Sequence, residues 1–264
     1  MKRVIMMVFL AMLSFSTLNG GGLPYYQGVA GYEVALELYT LQLSLAVANE
    51  TTRNAKRAIA SVVVNKDQKA KIKALKDQIA QTNDPEQKAT LVRQYDDGLT
   101  QAINDGANEN KKLTQEQIQL VITATGNLAV VVASDYVALE IAKKIPDTIK
   151  GAIDECKNTI KSKTAEIKSK TKKMKKNPFK AGKIGKELKG INKEVKGIKM
   201  NLAFLAAAAS NTVPKMPGDI TGQINSIVNI VGSVGKLAKG NNFKAPSLEN
   251  APSTATDIDV GDDI

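Results

Sequence analysis

The 264-residue chain has no histidine, no tryptophan and a single cysteine, Cys156. Each absence closes off a class of chemistry. Without histidine there is no Ser-His or Cys-His relay, no common zinc site and no side chain that ordinarily exchanges protons near neutral pH. One cysteine cannot form a disulfide within the chain. It lies on an apolar helical stripe, which predicts a buried, inert thiol. Carboxylate pairs such as Glu33 with Glu37, or Asp96 with Asp97, read as solvated helix faces. The Gly-Lys pairs at 185–186 and 235–236 lack the spacing and the following Ser or Thr of a phosphate loop. The sequence therefore points to a protein that is not an enzyme and carries no cofactor or metal.

Aromatic residues are few as well. Beyond the first 22 residues the only phenylalanines are Phe179, Phe204 and Phe243. The core must then be aliphatic, which suits closely spaced helices. Proline is scarce between 25 and 213 and falls where helices are expected to begin or end. Asp84-Pro85-Glu86-Gln87 reads as an N-cap, a proline at the first helical position and a glutamine three residues after the cap. Thr114 and Gln117 form a capping box, with Leu113 placed to staple onto Ile118. Pro146 with Asp147 predicts a new helix after Lys143-Lys144, and Asn177-Pro178 predicts another.

Between these marks the apolar period is helical. Val34, Leu38, Leu41, Leu45 and Ala48 form one stripe, and Val92, Tyr95 and Leu99 another. Ile118, Val121, Thr125, Leu128, Val132, Tyr136 and Leu139 form a third, with apolar residues on the other faces too, as in a helix central to its bundle. Ile220, Ile224, Ile227, Val231, Val234 and Leu237 give a last amphipathic helix whose polar face is almost uncharged. The stretch VPKMPGD, 213–219, reads as the loop before it. The expected fold is all-α, an elongated helical bundle over 23–240.

Net positive charge is concentrated in one place. Residues 161–200 hold fifteen lysines and three glutamates, a net +12 against +11 for the whole chain, so the remainder is close to neutral. In 168–189, KSKTKKMKKNPFKAGKIGKELK, Glu187 is the single acid among ten lysines. Ile184, Leu188, Ile191, Val195, Ile198, Leu202 and Leu205 keep a four-three spacing, the seam of a coiled coil. Upstream, Ile153, Ile160, Ile167 and Met174 lie seven apart, with Ile149, Cys156, Lys163 and Lys170 as companions. Two such helices joined at Asn177-Pro178 predict an antiparallel hairpin over about 147–210 with the lysine cluster at its tip.

Residues 1–22 have the plan of a secretory signal: Lys2 and Arg3, an apolar run from Val4 to Leu18, then small residues. Export to the periplasm or the extracellular space is expected. Residues 241–264 are rich in Pro, Ser and Asp and read as a disordered acidic tail.

The candidate contact for an anionic surface is Lys168, Lys170, Lys172, Lys173, Lys175, Lys176, Lys180 and Lys183. Lysine without arginine favours diffuse charge attraction over base reading, so sequence-specific nucleic-acid binding is not expected. Three readings follow. The first is an exported, non-enzymatic bundle acting by interaction at the envelope or outside the cell, on an anionic membrane, an envelope polymer, a protein partner or a second copy of itself. The second is a membrane-active, pore-forming-like helical protein, motivated by the uncharged run 117–134, the stretch LAFLAAAAS at 202–210 and the helix 220–238. The third is a binder of extracellular nucleic acid or acidic polysaccharide.

Overall fold

A computed structural model of the chain describes residues 25–109 and 111–258. Residues 1–22, expected to be a secretory signal, and residues 259–264 of the expected tail lie outside the described residues. The protein is all-α. Its helices are α1 (Tyr32–Val63), α2 (Lys66–Gln81), α3 (Pro85–Asn108), α4 (Gln115–Lys176), α5 (Ala181–Asn211) and α6 (Met216–Asn241), with 3-10 turns at Pro178–Lys180 and Leu248–Asn250. They fall into two compact units, one formed by the chain up to Ser44 with Leu139–Asp219, the other by Leu45–Ala138 with Ile220–Ile264.

The caps read from sequence hold their helices. The Asp84 side chain accepts from the Gln87 N–H at 2.7 Å. Thr114 Oγ1 accepts from the Gln117 N–H, and Gln117 Oε1 accepts in return from the Thr114 N–H. Asn65 and Gln68 make a second reciprocal box at the start of α2.

Two proline readings are corrected. Pro146 does not separate two helices; it lies inside the continuous α4. An interior proline costs about 3 kcal/mol, through one lost backbone bond and a clash one turn back. Ile145 and Ile149, both 1% exposed, flank it, and burying each contributes roughly 1.5–3 kcal/mol. Burial therefore outweighs the break. The loop expected at 213–219 is confined to the turn at 212–215, because α6 begins at Met216. Pro217 sits in its first turn, where no N–H is required.

In the first unit, the ion pairs Lys163–Glu194 at 2.7 Å and Lys170–Glu187 at 2.5 Å lay α5 against the end of α4. Seven residues forward on α4 match seven back on α5, so the two run antiparallel, in a register compatible with the expected hairpin. The base of this pair holds residues 25–31. Asn201, fully buried, accepts from the Tyr26 N–H at 2.5 Å and donates to the carbonyls of Tyr26 and Ala30, each at 3.0 Å. Cys156 is buried and free, and its thiol donates to the Ala30 carbonyl at 3.4 Å. Gly31 turns the chain there with φ +78°, and a Cβ on it would stand 2.6 Å from Cys156 Sγ. Tyr25 closes the corner against Tyr32, Tyr39 and Phe204.

The sequence of α5 carries Lys-Gly-Ile twice, at 189–191 and 196–198, and the two glycines differ in their surroundings. A Cβ on Gly197 would lie 2.5 Å from Tyr26 Cδ1, whereas Gly190 has open space around it. Gly190→Ala is expected to stabilise the fold by roughly 0.5–1 kcal/mol through helix propensity. Gly197→Ala should destabilise it by about 1–2 kcal/mol, because displacing the Tyr26 ring outweighs the same gain. Opposite shifts in the urea midpoints of the two variants check this pair.

In the second unit, α2 packs against α3. Gln68 Nε2 donates to Asp105 at 3.3 Å, and Leu75 approaches Gly98. The end of α3 reaches α1 so closely that a Cβ on Gly106 would lie 2.6 Å from the Val63 carbonyl oxygen. The stretch 117–134 is helical, with Val121, Ala124, Leu128, Ala129, Val131 and Val132 buried. The sequence stripe errs at its end: Tyr136 is 55% exposed and Asp135, at 1%, takes the inward place. Residues 242–258 form no helix longer than the Leu248–Asn250 turn, compatible with the tail reading, although Asn127 exchanges two hydrogen bonds with the Thr256 backbone.

Candidate functional site at the α4–α5 bend

The last turns of α4 carry Lys168 to Lys176. The Asn177 N–H closes the helix onto the Lys173 carbonyl at 3.1 Å, and the Lys180 N–H bonds the Asn177 carbonyl at 3.1 Å. Pro178, Phe179 and Lys180 form a single 3-10 turn before α5 starts at Ala181. The basic residues on either side are thereby brought to one end of the helix pair.

They are not equivalent. Lys168, Lys172, Lys173, Lys175, Lys176, Lys180 and Lys183 are exposed. Lys170 is half-buried, its ammonium held by Glu187 at 2.5 Å and reached by Glu166 at 3.7 Å. The hydrogen bond to Glu187 raises the Lys170 pKa and lowers that of Glu187. One heptad below, Lys163 repeats the arrangement with Glu194, whose hydrogen bond raises the lysine pKa. The two lysines on the seam are thus neutralised by opposing glutamates, while the seven off the seam keep their charge for solvent. Among the described residues no salt bridge pairs those seven with an acid; Glu187 bonds Lys170, and Lys183 stands near enough to help lower its pKa.

The charges also differ in how they meet the backbone. Lys173, Lys175 and Lys176 lie in the last turn of α4, where the negative end of the helix dipole favours them. The first turn of α5 has no acid, and neither Asn177 nor Lys180 supplies a side-chain cap. In the sequence Phe179 stands out only as one of the few aromatics. In the structure it is 100% exposed, at the apex of the bend. Its place between Asn177-Pro178 and Lys180, off every apolar stripe, was the available signal.

Elsewhere, polar side chains bind helix to helix. Arg53 grips Asp96 with two bonds of 2.9 and 3.0 Å. Lys56, 6% exposed, donates to Ser226 Oγ at 3.1 Å, and burial pushes its pKa down. Gln223 donates to Thr52 and Ser233 to Asn104. Gln223, Ser226 and Ser233 on the almost uncharged polar face of α6 therefore bond to neighbouring helices, while Thr221, Asn225 and Asn229 of that face are exposed. α4 has one window long and apolar enough to cross a membrane, and more than half of that window is buried. Among the described residues no cluster of Cys, Asp and Glu is arranged to hold a metal ion.

Comparison with protein-family models, with curated proteins and with solved structures finds no match to this chain.

Proposed function

We propose that the chain is an exported, non-enzymatic helical protein that works by contact at the cell envelope or outside the cell, presenting the α4–α5 bend to anionic surfaces. The observation that carries this reading is the sorting of charge at the bend. Lysines on the seam pair with glutamates, and the seven others are exposed and make no salt bridge among the described residues, with only Lys183 near an acid, Glu187. A cluster held this way attracts any dense array of negative charge within roughly a Debye length, about 8 Å at physiological salt.

The membrane-active reading draws less support. Each of its motivating stretches has residues with a task inside the protein: 117–134 fills a core, Leu205 and Ala208 are buried on α5, and Gln223, Ser226 and Ser233 of α6 bond to α1 and α3. An enzymatic reading lacks its usual general base, since the chain has no histidine.

The test is co-sedimentation of the protein with anionic vesicles and retention on heparin, each at low and at physiological salt. Binding to either that weakens with salt, and that is lost when Lys172, Lys173, Lys175 and Lys176 become glutamine, supports the reading. No binding at low salt, or binding indifferent to those four changes, removes it.

A further inference from the structure

Phe179 is an apolar side chain flanked in sequence by exposed lysines. A fully exposed phenylalanine on a bend is apolar surface left in water, and here it stands at the apex with Lys175, Lys176, Lys180 and Lys183, all exposed, within four residues of it in the chain. We infer that the bend is a lipid-insertion anchor: the Phe179 ring enters the headgroup–acyl boundary of an anionic bilayer while the surrounding ammonium groups meet lipid phosphates. This rests on the reading of the bend as an anionic contact and names the surface.

The geometry favours lipid over the other polyanions. Single-stranded nucleic acid is held along a groove with successive aromatic platforms. The bend offers one ring, on a turn of Pro178–Lys180, and Phe179 is the single aromatic in the sequence between Tyr136 and Phe204. An acidic polysaccharide would satisfy the lysines and leave the ring in water. A bilayer interface satisfies both, because lysine stems reach along apolar surface with their charged heads in the polar layer. Charge and insertion then act together: neither a lone aromatic nor a lysine patch gives firm anchoring, and two signals are the usual requirement.

The experiment uses the protein without its secretory segment, Phe179→Ala and Phe179→Trp. Because Phe179 is fully exposed, neither change disturbs packing, and Phe179→Trp gives a chain whose only tryptophan is at the apex. The probes are vesicles of phosphatidylcholine with phosphatidylglycerol, heparin, and a single-stranded oligonucleotide. Phe179→Ala is expected to bind the anionic vesicles about tenfold more weakly, the loss set by one buried aromatic side chain, with heparin retention unchanged. Phe179→Trp emission should shift to the blue and be quenched by brominated lipid on adding these vesicles, and stay in place with heparin. If vesicles bind but neither variant responds, the insertion anchor is wrong while the anionic contact stands. A blue shift with the oligonucleotide alone overturns lipid in favour of nucleic acid. If neither vesicles nor heparin bind at low salt, the anionic contact fails and the anchor with it.

Discussion

Changing Lys172, Lys173, Lys175 and Lys176 together to glutamine is expected to lower affinity for anionic vesicles by about a thousandfold, at roughly 1 kcal/mol for each lysine near the surface. The four residues are exposed and lie at the end of α4, so the fold gives up no packing when they change. Removing like charges should, if anything, ease repulsion at the bend. The matching control alters Lys66, Lys71, Lys73 and Lys88, which are also exposed but sit on α2 and α3. Both variants lose the same net charge, and only the first loses it at the candidate site. Vesicle co-sedimentation at several salt concentrations decides the matter. Comparable losses in the two variants would mean that overall charge, not the bend, drives association. A surviving, salt-insensitive residue of binding in the first variant would measure what Phe179 contributes by itself.

Raising the pH from about 5 to about 8 is expected to destabilise the fold by about 2.5 kcal/mol through Asp135 alone. This carboxyl is 1% exposed, and neither of its oxygens has a hydrogen-bond partner among the described residues. Val131, Val132 and Ala138, buried and one turn away on α4, give it apolar company. Burial alone pushes its pKa up to about 7. The folded protein therefore holds a proton that the unfolded chain releases near pH 4. Stability from this group is complete below the unfolded value, declines as pH rises through the window between the two, and is gone above about 7. With no histidine in the chain, few other groups change charge in that window. Asp135→Leu should flatten the dependence and leave the protein more stable at about pH 8, by roughly 2–4 kcal/mol, since an unpaired buried charge is replaced by an apolar group of similar size. Urea unfolding of both proteins at the two pH values tests this. A wild-type curve that stays flat would show that Asp135 finds a partner or water.

Much of the helical plan was legible because capping chemistry is local. Asp84 and Thr114 needed only their own next three residues to be recognised, and both act as caps. The buried thiol of Cys156 was legible from its place on a regular apolar row. Pro146 misled because its effect is local while its compensation is not. The burial of Ile145 and Ile149 depends on what the rest of the chain packs against them.

Asp135 was hidden for a related reason. Counting in sevens from Val121 gives Leu128, Asp135, Ala142, Ile149 and Cys156, every one buried, and then Lys163 and Lys170, each paired to a glutamate. The repeat was in the letters, but Tyr136 is the apolar residue and drew the stripe one place aside. At the bend, the lysines could be placed from spacing. Their division into paired and unpaired could not, because it depends on which residues of α5 stand opposite. The orientation of Phe179 was equally out of reach, since an isolated aromatic in a turn obeys no periodicity.

The uncapped, acid-free start of α5 has a consequence for how this region moves. Its first-turn amides lack side-chain acceptors, and Lys180 and Lys183 crowd the positive pole of the helix. The pair of helices is fastened at its foot by Asn201 and Cys156, and no side-chain cap fastens it where it reverses. Breathing should begin there, with the amides of 181–186 exchanging deuterium ahead of those near 198–208. A polyanion laid over the turn would neutralise that pole and slow the same amides, so occupancy could be read from the backbone without following the ligand.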